Sequence, residues 1–112
     1  MSKQRTILLA EENGDFTQRC CAALTAYGYE VTTVPKDGLQ ILDMIRTQNP
    51  DVVILDAVMS HLDALGVLSR IPTLHLNQKP LCILLSGVDN SRFEQQLLSN
   101  GADYYFLKPV EP

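Results

Sequence analysis

Polar side chains follow four of the apolar runs in this sequence, each directly after the run ends. Glu11 and Glu12 come after the first run, and Asp56, Ser86 and Lys108 come after later ones. Three carboxylates brought together repel one another, so they need a cation or a raised pKa. Because carboxylate, carbonyl and water oxygens are the ligands that Mg²⁺ prefers, these residues could together hold that ion.

The same residue types suit phosphoryl transfer. The ammonium group of Lys108 is a mobile charge for an incoming phosphate, and the hydroxyl of Ser86 can donate to a phosphate oxygen. An aspartate beside Mg²⁺ and a lysine, as Asp56 would be, can accept a phosphoryl group as an aspartyl-phosphate. Taken singly, each residue is typical of a solvated loop, a helix cap or a turn. Their joint placement after successive apolar runs is what indicates a site.

The apolar runs have the character of strands that are covered on both faces. They are short and continuous rather than alternating, which is typical of a parallel sheet. A weaker run over residues 30–34 favours a more exposed edge strand. The continuous runs are residues 7–10, 52–55, 81–85 and 104–107.

Helical patterns fall between these runs. The predicted helices are an apolar stripe from Phe16 to Tyr27 closed by Gly28, residues 38–48 ended by Asn49-Pro50, residues 62–70 stopped by Pro72, and residues 91–100 opened by a capping-box spacing of Ser91 and Glu94.

The strict alternation of strands and helices predicts an α/β fold, a doubly wound five-stranded parallel sheet in the flavodoxin-like order 2-1-3-4-5. A closing fifth helix has no room, because four residues follow Lys108. Its absence would leave an apolar patch on the fifth strand.

Strand order predicts where the polar residues meet. In that order strands one and three are neighbours, so Glu11, Glu12 and Asp56 should converge at the carboxyl edge of the sheet. Ser86 and Lys108 should flank Asp56 from the other side.

Composition limits the classes of function. The chain of 112 residues is long enough for one domain, and its net charge of −4 comes without a basic cluster, which argues against direct binding of nucleic acid. No apolar run of about twenty residues and no signal-peptide pattern is present, so we expect a cytoplasmic protein without a membrane partner. Three cysteines, an odd number, do not indicate a disulfide framework.

The sequence resembles, along its whole length, the receiver domain of bacterial two-component response regulators. The stretches that carry the resemblance are Val53–Met59, His61–Asp63 and Gly101–Pro109, the last two being similar to receivers of sporulation-type regulators. The resemblance implies a single receiver domain over residues 1–112, either naturally short or shortened at its carboxyl end.

The resemblance also implies roles for individual residues. Asp56 would be the phosphorylated residue, Ser86 the switch hydroxyl, Tyr105 the aromatic switch and Lys108 the phosphate contact. Mg²⁺ would be held by Glu11, Glu12, Asp56 and the backbone carbonyl of Val58. Pro109 would follow a cis peptide bond, which is reasonable only before proline.

A receiver of this kind is a switch rather than a dedicated enzyme. It would take the phosphoryl group from a sensor histidine kinase or a phosphotransfer protein and act on a downstream protein or an output domain. A homodimer is a further candidate assembly. In the family, the residues at the positions of Val58 and Val88 influence attack by water, and since both are apolar here we expect slow self-dephosphorylation.

Departures from the family pattern leave one main alternative. Both residues of the acidic pair are Glu, Ser60 stands where the family usually has Pro, and Ala64 where it usually has Gly. The same fold could therefore serve as a pseudo-receiver, a protein-interaction module that works without phosphorylation. A flavin or dinucleotide enzyme is poorly supported, because the turn after the first strand is acidic and no glycine-rich phosphate loop is present.

Overall fold

The computed structural model describes residues 5–10, 14–87 and 90–107 of the chain. Its elements, in chain order, are β1 Thr6–Ala10, α1 Gly14–Ala26, β2 Glu30–Val34, α2 Gly38–Gln48, β3 Val52–Asp56, α3 Ala64–Arg70, a 3₁₀ turn at Ile71–Leu74, β4 Leu81–Ser86, α4 Ser91–Ser99 and β5 Tyr104–Leu107. Every strand and helix predicted from the sequence is therefore found, and the described residues hold four α-helices, as expected without a closing fifth one.

The five strands are parallel and lie in the order β2-β1-β3-β4-β5, which confirms the predicted topology. In the register, Ala10 pairs with Leu55 and Asp56 pairs with Leu85. Ser86 at the end of β4 pairs with Leu107 at the end of β5. The carboxyl ends of four neighbouring strands are thus level with one another, which places the residues that follow them at a single edge.

The main apolar core lies between the sheet and the helices α2, α3 and α4. Leu8, Val53, Leu55 and Leu84 point into it from successive strands, because side chains alternate along each strand. Residues of α2 such as Ile45 complete the cluster and are fully buried.

The opposite face of the sheet is covered by α1 and is less closed. A groove of about 220 Å³ runs between α1 and the sheet, and its walls are almost entirely apolar. It is lined by Phe16, Cys20, Ala23, Leu24, Tyr27, Ile54, Ile83 and Leu85. Beyond it, the rings of Tyr104 and Phe106 on β5 stack with centroids 6.3 Å apart and stay partly exposed.

The predictions for two helix ends had different outcomes. The helix α3 ends at Arg70, as predicted, and Pro72 lies in the first turn of the 3₁₀ segment that follows it. The cap of α4 is Asn90 rather than Ser91, since the Asn90 side chain accepts from the amide of Phe93. Of the helices described, none has the length and apolar character needed to cross a membrane.

Candidate functional site

Asp56 ends β3 and carries a buried carboxylate. The residue is 4% exposed, and its Oδ1 accepts a hydrogen bond of 2.9 Å from the amide of Val58. This bond, from two residues further on, turns the chain away from the strand and fixes the carboxylate at the carboxyl edge of the sheet. An ionised carboxylate with so little access to water needs a partner charge nearby.

Lys36 supplies that charge. Its Nζ lies 3.1 Å from Asp56 Oδ2, and the two side chains are 23% and 6% exposed. Sequence analysis did not single out this lysine, although the same reasoning could have found it. Lys36 follows β2 closely, at the same edge of the sheet as the residues that follow the other strands.

A set of backbone contacts holds Lys36 in place. We use the term turn–loop bridge for residues 36–38, at the start of α2, together with residues 60–62, in the loop after β3. The amide of Ser60 donates to the carbonyl of Lys36 at 2.9 Å, and the amide of Gly38 donates to the carbonyl of Ser60 at 3.0 Å. A Cβ on Gly38 would overlap the backbone of Leu62, so only glycine permits this close approach.

A contact between two side chains reinforces the turn–loop bridge. His61 Nδ1 lies 2.9 Å from Asp37 Oδ2, and the other carboxylate oxygen of Asp37 caps α2 by accepting from the amides of Leu39 and Gln40. Partial burial alone would raise the pKa of Asp37, but the hydrogen bond from Gln40, His61 and the bond from Leu39 together lower it. His61 also adopts a left-handed backbone with φ of 65°, a conformation that non-glycine residues rarely adopt.

Three further predicted site residues lie where the topology requires. Ser86 is 1% exposed at the end of β4, on the strand beside Asp56. Tyr105 is half-buried on β5 and packs against the main core. Val58 has an exposed side chain, so this residue meets Asp56 through its backbone amide.

The remaining predicted site residues lie outside the described residues. They are Glu11, Glu12, Val88, Lys108 and Pro109. Among residues 5–10, 14–87 and 90–107, no cluster of three His, Cys, Asp or Glu side chains could hold a metal. The predicted metal ligands within that part are Asp56 and Val58.

These ligands fit a hard divalent cation. The Asp56 carboxylate is an oxygen donor, as Mg²⁺ requires, and an ammonium group already lies against one of its oxygens. That contact shows that a positive charge fits beside Asp56. In addition, β1 pairs with β3, and in the sequence β1 is followed directly by Glu11 and Glu12.

A second cavity, of about 600 Å³, lies at the opposite edge of the sheet. Its two carboxylates already serve the fold, since Asp51 accepts from the amide of Thr6 and Asp103 from the amide of Cys82, both at 2.8 Å. These bonds satisfy backbone groups where strands begin, so the cavity carries no comparable chemistry.

Comparison with known proteins identifies the family. A family model for the response regulator receiver domain matches residues 7–112. The chain belongs to the response regulator receiver family. Domains of this family accept phosphoryl groups in two-component signalling, generally with Mg²⁺, and they interact with histidine kinases or phosphotransfer proteins and with output domains.

Solved structures agree with this assignment. The receiver domain of the sensor histidine kinase PA1611 from Pseudomonas aeruginosa, which holds a magnesium ion in its active-site cleft, is 26% identical, with a TM-score of 0.81 over 97% of this chain and 88% of that one. A DNA-binding response regulator of the LuxR family from Staphylococcus aureus is 27% identical, with a TM-score of 0.81 over 96% and 88%.

A more distant receiver shares the fold. The signal receiver domain of the response regulator NarL from Mycobacterium tuberculosis is 23% identical, with a TM-score of 0.85 over 98% of this receiver and 88% of that chain. The predicted doubly wound receiver fold is thereby confirmed.

Proposed function

We propose that this receiver domain is phosphorylated on Asp56 and switches conformation to control a partner or an output domain. The observation that carries the proposal is the Asp56 carboxylate, buried at the carboxyl end of β3 beside a positive charge and next to the strand that ends in Ser86. The crevice outside the carboxyl ends of the strands is where open parallel sheets of this kind bind their ligands.

The proposed reaction is transfer of a phosphoryl group to Asp56. A carboxylate oxygen of Asp56 forms a bond to phosphorus, while the bond between phosphorus and the donor's leaving group breaks. The Val58 amide holds one carboxylate oxygen, so the side chain is oriented before the donor arrives. Mg²⁺, held by Asp56, the Val58 carbonyl and the predicted pair Glu11 and Glu12, would neutralise charge on the phosphoryl oxygens.

Further residues receive roles in the same proposal. The Ser86 hydroxyl contacts the new phosphate, Lys108 adds a second contact, and Tyr105 rearranges with the hydroxyl. The donor is a sensor histidine kinase or a phosphotransfer protein, and self-dephosphorylation is slow because Val58 and Val88 are both apolar. We further propose residues 1–112 as one receiver domain; a homodimer stays a prediction.

Incubation with Mg²⁺ and a small phosphodonor tests this function. We expect an acid-labile gain of one phosphoryl mass in the intact protein, absent from Asp56→Asn. Asp43→Asn is the matched control, because Asp43 is an exposed aspartate on α2, and it should be labelled like the wild type. Labelling that persists in Asp56→Asn, or no labelling of the wild type, would contradict the proposal.

A pseudo-receiver is the second candidate, and one observation favours it. The Lys36 ammonium already balances Asp56, as it would in a domain that never binds metal. Titration with Mg²⁺ separates the two candidates, because a pseudo-receiver should show no binding even at about tens of millimolar metal, whereas a phosphorylated receiver should bind the ion through oxygen ligands such as Asp56.

A further inference from the structure

The contact between Lys36 and Asp56 differs from an ordinary surface ion pair. Exposed pairs contribute little, because water and salt screen them. Here the carboxylate side chain is 6% exposed and the lysine side chain 23% exposed, with their charged atoms 3.1 Å apart. Removing either partner would leave the other charge poorly solvated. The two charges therefore stabilise each other as long as no other cation lies beside Asp56.

The turn–loop bridge keeps the lysine at this position. The carbonyl of Lys36 accepts from Ser60, a residue of the loop that follows Asp56 itself. Gly38, two residues later, donates back to Ser60 and packs against Leu62. The backbone of Lys36 is therefore fixed relative to the acceptor loop, and only its side-chain torsions remain free to move the ammonium group away.

We propose that Lys36 is an internal counter-cation that competes with Mg²⁺ for Asp56. A divalent ion and an ammonium group beside one carboxylate repel each other strongly at such distances in a partly buried site. Lys36 thus weakens metal binding and sets the Mg²⁺ concentration at which the acceptor becomes competent. The claim that Lys36 sets the Mg²⁺ concentration for phosphorylation rests on the proposed function. The claim that Lys36 weakens Mg²⁺ binding does not.

Titration of the full chain with Mg²⁺ tests the competition. The amide of Val58 donates to Asp56, so its signal in a ¹H–¹⁵N spectrum reports binding at this carboxylate. We expect Lys36→Met to bind Mg²⁺ about tenfold more tightly than the wild type, as expected from removing one nearby like charge. Mn²⁺ should broaden the same amide, which places the ion beside Asp56.

Two variants separate the local charge from other effects. Lys36→Arg keeps the positive charge and should stay within about threefold of the wild-type affinity. Lys79→Met removes one positive charge at the opposite edge of the sheet, where Lys79 lies 3.4 Å from Asp103, and should leave Mg²⁺ affinity unchanged. If circular dichroism shows that Lys36→Met is unfolded, Lys36→Gln replaces it.

Each result decides the matter. The proposal is supported if Lys36→Met or Lys36→Gln binds Mg²⁺ more tightly than the wild type while Lys79→Met does not. The same holds if the wild type binds no Mg²⁺ and the Lys36 variant does. Equal or weaker binding, an equal gain in Lys79→Met, or no binding by any of these proteins overturns it. Labelling of Asp56 by the phosphodonor is a separate measurement. If the wild type is not labelled but Lys36→Met still binds Mg²⁺ more tightly, the proposed function is wrong and the competition is still supported.

Discussion

Cys82 shows how the fold controls the chemistry of a single side chain. It lies within β4, is fully buried, and its Sγ is 3.5 Å from the carbonyl oxygen of Pro80. Burial raises the pKa of the Cys82 thiol to about 11, while Lys79 lowers it and Asp103 raises it to smaller extents. The folded protein therefore keeps this thiol protonated at pH values where an unfolded chain loses the proton.

This difference predicts a pH dependence of stability. Above about pH 8.5, the pKa of a free thiol, the unfolded state releases the proton and the folded state retains it, so the free energy of unfolding falls as pH rises. The fall ends near pH 11, where the folded thiol also ionises. Its slope reaches at most about 1.4 kcal/mol per pH unit. Urea unfolding of Cys82→Ala should therefore show a shallower alkaline loss than the wild type.

Cys21→Ala, which removes a half-buried thiol from α1, is the control for this experiment. Titration of tyrosines and lysines contributes to all three proteins equally, so only the difference between their slopes matters. Parallel alkaline curves for the wild type and Cys82→Ala would show that the buried thiol is not the cause.

At the scale of elements, the turn–loop bridge links the start of α2 to the loop after β3. The strand order places β1 between β2 and β3, so the bridge joins two connections whose strands are not neighbours. Asp37 and Ser60 even form an isolated parallel bridge there. The loop after Asp56 is thus attached to a second element instead of standing alone.

Gly38→Ala should break this attachment. The added methyl would meet the backbone of Leu62, which cannot move without disturbing the bridge. We expect a loss of about 3 kcal/mol in the free energy of unfolding, at the upper end of the usual cost of overpacking. Urea unfolding followed by circular dichroism measures it.

Gly14→Ala is the matched control for that substitution. Gly14 begins α1, and a Cβ there has no neighbour within 4 Å. Its unfolding free energy should change by less than about 0.5 kcal/mol or rise slightly, because alanine favours helix. A loss in Gly14→Ala as large as that in Gly38→Ala would point to a general effect of replacing glycine.

The elements themselves follow closely from the sequence, and the exceptions have local causes. Four continuous apolar runs and one weaker run between helical stripes placed the five strands, and their order followed because few topologies suit strict alternation. The cap of α4 was misplaced because Ser91 and Asn90 are both good capping residues, and the choice depends on backbone torsions that the sequence does not show.

The candidate site was less predictable than the fold. Asp56 and Ser86 follow strongly apolar strands and so were found at the strand ends, where the structure places them. Lys36 was missed because β2 is a weak edge strand and Pro35 separates it from the lysine. Its role depends on the turn–loop bridge, a long-range contact between two loops that residue spacing does not encode.

At the scale of the molecule, the two faces of the sheet are covered unequally. Three helices bury the face that contains Leu84, whereas α1 leaves an apolar groove on the face that contains Ile83. These two residues are neighbours on β4 and point to opposite faces. Most of the buried apolar surface that stabilises the domain therefore lies on the face covered by α2, α3 and α4.

A pair of substitutions on β4 measures this asymmetry. Leu84→Ala removes a fully buried side chain and should cost about 3 kcal/mol through lost burial and a cavity. Ile83→Ala removes a partly exposed side chain and should cost about 1 kcal/mol. Equal costs in urea unfolding would contradict the unequal division of the core.

The helix α2 makes contacts beyond its own face of the sheet at both of its ends. It begins beside Lys36 in the turn–loop bridge, and just after its last residue the Asn49 side chain donates to the carbonyl of Gln78 at 3.0 Å. Eleven helical residues span about 16 Å. A shift of the first turn of α2 would therefore also strain the hydrogen bond between Asn49 and Gln78, about 16 Å away at the far end of the helix.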